Sequence, residues 1–171
     1  MEIALLPKSG IRIKGKLTTV AVDAVDKVSA SAVLSVITPV AQLASPEEGI
    51  NIFGVGEYEI GGIKVMGKRS NNQMMYSLIV DGVTIFVGGL VSLEKMHQKL
   101  AEYNIVVVIC NEEGATSFLT SIASNVVIFY GEKAKVVSES FSKENVKVSN
   151  KYSSTKDKLP EELETILLAN S

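Results

Sequence analysis

Gly54-Val55-Gly56-Glu57-Tyr58-Glu59-Ile60-Gly61-Gly62-Ile63 carries the pattern of a β-hairpin arm and its turn. Glu57 and Glu59 alternate with Tyr58 and Ile60, the period of two that puts charge on one strand face and apolar groups on the other. Gly61-Gly62 suits a tight turn, because glycine takes left-handed backbone angles without steric cost. Ile63–Met66 resumes as a second strand. The same glycines exclude a dinucleotide loop: the third glycine position is Glu59, and no helix follows. No phosphate-binding G-x-x-x-x-G-K-[ST] occurs anywhere in the chain.

Outward from this hairpin, the first half reads as short strands. They are expected at Glu2–Leu6, Ile11–Lys14, Leu17–Val22, Ala32–Ile37, Ile50–Phe53, Glu57–Ile60, Ile63–Met66, Met75–Val80 and Val83–Val87. Asp81-Gly82 between two strand-like runs is a strong hairpin signal. The pattern then changes. Ser92 is expected to cap a helix with Leu93, Met96 and Leu100 on one face. Ile105–Cys110 and Val126–Tyr130 read as buried strands, with a short helix over Thr116–Ala123 between them. Ala134–Val137 and Val146–Ser149 read as further strands. Pro160 suits the first turn of a last helix carrying Leu159, Leu163, Ile166 and Leu167 on one side. Strands early and helices alternating with apolar strands later predict an α/β arrangement in which helices cover sheet faces.

The chain has 171 residues, 46% hydrophobic and 21% charged. That length fits a single domain, 1–171, which buries roughly 70% of its unfolded surface without disulfide or metal. The polar stretch 143–158 is expected to be the most mobile. A net charge of −2 argues against a dedicated nucleic-acid binder, whose domains are usually strongly basic. The single cysteine, Cys110, excludes an intramolecular disulfide. The N-terminal residues lack a basic region followed by a long apolar run, and the longest aliphatic run, Ile105–Cys110, is too short to span a bilayer. The expectation is a cytoplasmic protein with no membrane contact.

Taken in order, these residues resemble a compact member of the metallo-β-lactamase fold superfamily, in its branch of small, lactonase-like metal-dependent hydrolases. Gly54–Ile63 is very similar to that branch's "GPGEYEIKGV" stretch. Leu5–Ile13 resembles its strand–"GHS"–strand entry, Val20–Asp23 the strand that ends in a buried Asp, and Val80–Gly89 a hairpin that normally ends in Gly-Asp. The resemblance runs from residue 2 to about 135, with a weaker match at the C-terminus. It implies an αββα sandwich, here shortened, with two mixed β-sheets flanked by helices. It also implies a metal site built from H-x-H-x-D-H, an Asp after the later hairpin and a late His. In this sequence those positions are Val36, Thr38, Val40 and Ala41, then Gly89, then Gly131, and the "GHS" histidine is Lys8. Aliphatic side chains cannot hold zinc, Thr38 offers a weak neutral oxygen, and the whole chain has one His. No metal or other cofactor is expected. Val36, Val40 and Ala41 are expected to fill the former pocket with apolar volume.

Other reactive residues carry two readings each. Cys110 ends a buried strand before Asn111-Glu112-Glu113-Gly114, where a thiol could be a nucleophile; as a free cysteine it is more often core. His97 lies beside the Leu93/Met96/Leu100 face without a Ser or Asp partner, which favours a helix-edge position. Asp23 and Glu57 could share the old cleft and do acid–base work, or Asp23 anchors a loop while Glu57 and Glu59 face solvent. Lys64, Lys68 and Arg69, followed by Ser70-Asn71-Asn72-Gln73, read as a basic, amide-rich loop. A second basic cluster runs Lys143, Lys147, Lys151, Lys156 and Lys158. Either could touch phosphate. Lys68 and Arg69, with Asp23 and Glu57, are the candidate binding residues.

The function expected from all this is binding without catalysis, by partner subunit, self-association or small-ligand recognition. The alternatives are a hydrolase using Asp23, Glu57, Glu112 or Cys110, and a weak nucleic-acid binder.

Overall fold

Two facing sheets are laid down almost consecutively along the chain; the structure is a computed structural model and describes residues 1–170. Strands β1 (Glu2–Leu5), β2 (Ile11–Lys14) and β3 (Thr19–Val22) form an antiparallel meander. Strands β4 (Ala32–Leu34) and β5 (Ile50–Ile52) add to it in parallel. The chain then crosses to the second sheet through Phe53, Gly54 and Val55. There β6 (Gly56–Ile60), β7 (Ile63–Ser70), β8 (Gln73–Val80) and β9 (Val83–Gly89) make a second antiparallel meander. Strands β10 (Ile105–Ile109), β11 (Val126–Tyr130), β12 (Val146–Ser149) and β14 (Glu164–Leu168) extend it in parallel, in the order β12-β14-β11-β10-β9. Strand β13 (Lys151–Ser153) returns to pair with β1, so the first sheet reads β13-β1-β2-β3-β4-β5.

The main core lies between the sheets, built from alternate residues such as Ile11, Ile13, Leu34, Tyr76, Leu78, Val107 and Ile128. A second core lies on the outer face of the parallel half of the second sheet. There helices α1 (Leu90–Met96) and α2 (Ala134–Phe141) cover Phe86, Val106, Val108 and Phe129. The parallel strands are therefore buried on both faces, which is why they read as unbroken aliphatic runs. The outer face of the first sheet carries no helix. Loop residues Ala24, Val28, Leu43 and Ala44 cover Ala21 and Val33 there. The helical flanks of the expected sandwich are thus reduced to one.

Five local expectations are corrected. Ala134–Val137 is not a strand but the start of α2: Ala134, Val137, Ser138 and Phe141 fall on the helical period and pack on β11 and β14. The expected last helix is β14. Its Thr165 and Leu167 face the helices while Ile166 and Leu168 face the other sheet, so a ladder buries both faces where a helix would bury one. Ser92 lies inside α1, whose N-cap is Gly89, and the Thr116–Ala123 helix is a single 3-10 turn at Ser117–Ser121. Lys68 and Arg69 belong to β7, not to a loop. The turn is only Asn71-Asn72, both in the left-handed region that asparagine tolerates, and it returns the chain directly into β8. The stretch 143–158 forms β12, β13 and a 3-10 turn at Lys156–Lys158. No described helix is long and apolar enough to cross a membrane.

Candidate functional site

The carboxyl ends of β3, β10, β11 and β14 meet at one end of the sandwich and enclose a cleft of about 420 Å³. Its walls include Leu5, Leu6, Ile37, Ile109 and Leu168, and its polar groups include Ser9, Asp23, Asn111 and Tyr130. Strand ends collect ligands in α/β folds because loops there vary while the strands beneath stay fixed. The lip at Leu6–Gly10 is a tight turn, with Leu6 N–H donating to the Gly10 carbonyl at 3.0 Å. Gly10 sits at φ +83, and a Cβ there would lie 2.1 Å from the Val22 carbonyl oxygen. Only glycine lets this lip cross the end of β3.

Asp23 follows β3 at φ 51 and is 2% exposed. Its carboxylate accepts from the backbone N–H groups of Val36 (2.9 Å), Ile37 (3.2 Å) and Thr38 (2.9 Å). Ser35 Oγ closes the same turn on the Thr38 carbonyl at 2.7 Å. Burial pushes the Asp23 carboxyl up from the usual range, and the N–H groups of Thr38, Val36 and Ile37 pull it back. Asp23 therefore anchors the segment in which the resemblance places the metal ligands.

Those positions do not converge on donors. Val36 is buried in the inter-sheet core, and Thr38 is held by its backbone N–H. Val40 and Ala41 stand exposed in a 3-10 turn, Val40–Gln42, so the expectation that they fill the pocket is corrected. A proline before this turn and no buried residue within it leave nothing to draw it inward.

Instead, Gln73 closes the space at Gly89. A Cβ at Gly89 would lie 2.6 Å from Gln73 Oε1, and the Ser92 hydroxyl donates to that oxygen at 2.9 Å. Gly131 sits at φ +118 beneath Asn111, whose Oδ1 lies 2.7 Å from where a Cβ would be. Lys8 pairs with Asp26 at 2.9 Å. Among the described residues, no three of His, Cys, Asp or Glu come together as a metal-holding group. The side chains at the implied ligand positions do not fit zinc, which takes imidazole, thiolate or carboxylate.

The remaining candidates lie apart. Cys110 is fully buried in the helix-side core, and burial pushes its thiol up to about 12. His97 stacks on Phe118 with ring centroids 5.4 Å apart. Glu112 is exposed on the loop after β10. Glu57 is exposed on the edge strand β6, in a groove with Glu59, Lys64, Met66 and Ile79, and does not meet Asp23. Lys68 and Arg69 occupy successive positions of β7, opposite Met75 and Met74. In the second basic cluster Lys147 pairs with Glu164, Lys151 with Glu2, and Lys156 donates to Asn104.

Three groups were missed as site residues. Gln73 was visible only as part of an amide-rich turn. Tyr76 reads in the sequence only as part of the strand Met75–Val80; its hydroxyl donates to the carbonyls of Ser35 (3.1 Å) and Ile52 (3.0 Å), tying β8 to the ends of β4 and β5. Tyr130 is the last residue of an apolar strand, and that position at the strand's carboxyl end was the available signal.

No family model matches the chain, and no curated protein matches it in sequence. Solved structures do. A metallo-β-lactamase superfamily protein of Thermotoga maritima, whose name proposes Zn-dependent hydrolysis, superposes with a TM-score of 0.73 at 16% identity, covering 98% of each chain. The metallo-β-lactamase fold protein YhfI of Bacillus subtilis superposes with a TM-score of 0.52 at 7% identity, over 96% of this chain and 95% of that one. The chain has the metallo-β-lactamase fold.

Proposed function

We propose that this protein acts by binding, without metal and without turnover, and that the cleft at the strand ends receives its ligand. One observation carries this reading: the Gln73 side-chain oxygen lies 2.6 Å from where a Cβ at position 89 would stand, a position the resemblance gives to a metal ligand, and the Ser92 hydroxyl donates to that oxygen. Asp23, the one buried carboxylate of the cleft, is directed to three backbone N–H groups. The Zn-dependent hydrolysis proposed in the name of the Thermotoga maritima protein would need a donor set that this chain does not supply. A hydrolase built from Asp23, Glu57, Glu112 or Cys110 would need those groups within reach of one substrate, and they lie in separate places. The test is metal analysis of protein purified without chelator and then dialysed against zinc. Substoichiometric metal is expected; one equivalent of zinc, manganese or iron would sink the reading.

A second reading, binding to a protein, has its own support. Ile50, Phe53 and Val55 are exposed together where the chain passes from the edge of one sheet to the edge of the other. An open edge lined by apolar groups is a pairing surface. Light scattering distinguishes its forms: a dimer that becomes monomeric on Phe53→Ser identifies self-association, and a monomer in both points to a different partner. The weak nucleic-acid alternative predicts affinity that falls steeply with salt, and a flat salt response would exclude it.

A further inference from the structure

Tyr130 ends β11, packs in the core between the sheets and is one of the residues that line the cleft. The residue is 5% exposed, and its hydroxyl oxygen is buried with no hydrogen-bond partner among the described residues. A buried hydroxyl left in that state destabilises a fold by about 1–3 kcal/mol. The same fold shows the ordinary solution at Tyr76, whose equally buried hydroxyl has two carbonyl acceptors. Asp23 lies close enough for its charge to act on Tyr130, but its oxygens already accept three backbone N–H groups. Burial and that negative charge both hold the phenol in its protonated form, so Tyr130 is a donor in search of an acceptor.

The surroundings define the acceptor. Leu5, Leu6, Ile37, Ile109 and Leu168 give the walls an apolar majority, with Ser9, Asn111, Glu132 and Asn170 among the polar groups beside them. The cleft's ammonium, Lys8, is paired with Asp26 at the lip, so among the described residues the cleft has no unpaired cation to receive an anion next to Asp23. A volume of about 420 Å³ is that of a small-molecule site.

We propose that the cleft binds a small, neutral, mainly apolar molecule bearing one carbonyl oxygen, which accepts a hydrogen bond from the Tyr130 hydroxyl. This rests on the reading of the cleft as a binding site and adds to it the chemical class of the ligand.

The test titrates the full, isotopically labelled chain with cyclohexanone, with methylenecyclohexane (the same shape without the acceptor) and with benzoate, following amide shifts by NMR. The ketone should move amides around Tyr130, Gly131 and Ile37 and bind about tenfold more tightly than the hydrocarbon, the worth of one buried hydrogen bond. Tyr130→Phe should erase that preference while raising the melting temperature of the free protein, because it removes an unpaired polar group. A preference that survives Tyr130→Phe, or a free variant that melts lower, would overturn the proposal. Equal binding of ketone and hydrocarbon in the cleft would refute the carbonyl class and leave the binding site standing. Tighter binding of benzoate would make the ligand an anion and refute it too. No shift at the cleft with any probe would refute both readings.

Discussion

The cleft at the strand ends and the groove on the outer face of β6, β7 and β8 differ little in size, about 420 and 440 Å³. They differ in what they do with polar groups. The groove presents Glu57, Glu59 and Lys64 to water on the outer face of the antiparallel half of the sheet. The cleft buries Asp23 and Tyr130, fixes the first with three N–H groups, and leaves the hydroxyl of the second without a partner among the described residues. Volume therefore does not separate a binding site from a furrow between side chains. The cost of burying polar atoms does, since a fold keeps that cost only where something offsets it.

The sharpest way to break this contrast is to remove the anchor. Asp23→Ala would leave the Val36, Ile37 and Thr38 N–H groups facing an empty volume, and urea unfolding should show a loss of at least about 3 kcal/mol. Asp23→Asn keeps one acceptor oxygen and should lose less. It also removes a pH dependence whose sign follows from burial. The folded carboxyl holds its proton more tightly than the unfolded one. Stability from this group is fully present below the unfolded value, about 3.9, and is lost as pH rises through the folded value. Wild type measured against Asp23→Asn should therefore be relatively most stable in acid and lose that advantage on the way to neutrality. An advantage that grows with pH would show that the N–H groups outweigh desolvation.

Tyr76→Phe comes next in size. It strips the donor from two buried carbonyls at the ends of β4 and β5, so a loss of about 1–3 kcal/mol is expected in the same urea assay. The comparison with Tyr130 is internal: two tyrosine hydroxyls, both buried, whose removal should move stability in opposite directions. A stabilised Tyr76→Phe would contradict the bond geometry on which the whole contrast depends.

How far the sequence reaches follows the same division between local and distant causes. The first nine strands were legible because alternation and turn residues such as Asp81-Gly82 act within a few positions. Helix and strand were exchanged at Ala134–Phe141 and Glu164–Leu168, where short aliphatic runs satisfy both periods and the neighbouring strands decide. At the site, Asp23 was recognisable by type, but the loop it holds was not. The filling of Gly89 by Gln73 brings the first residue of β8 against the end of β9, a contact no spacing encodes. The unpaired Tyr130 hydroxyl was invisible for a related reason: its burial is made by both sheets at once. Charge, the property easiest to read in a sequence, led to Glu57, Lys68 and Arg69 on the antiparallel half of the second sheet, away from the cleft.

The smallest expected effect tests the other side of the contrast. Glu57 lies opposite Met66 and Glu59 opposite Lys64 across the β6–β7 pair, all four exposed. Exposed pairs of this kind gain little, since water screens the charges and the long side chains lose freedom on pairing. Glu57→Gln with Glu59→Gln should therefore change stability by less than about 0.5 kcal/mol and leave ketone binding at the cleft unaltered. One cost is expected elsewhere. The two carboxylates line an open edge, where two copies of β6 pairing antiparallel about Tyr58 would set Glu57 against Glu59 as like charges. Neutralising them should raise the tendency to associate at high concentration, read by light scattering. If the double variant instead lost ketone binding or several kcal/mol of stability, the groove would be coupled to the cleft, and its charges would have to be counted as part of the site.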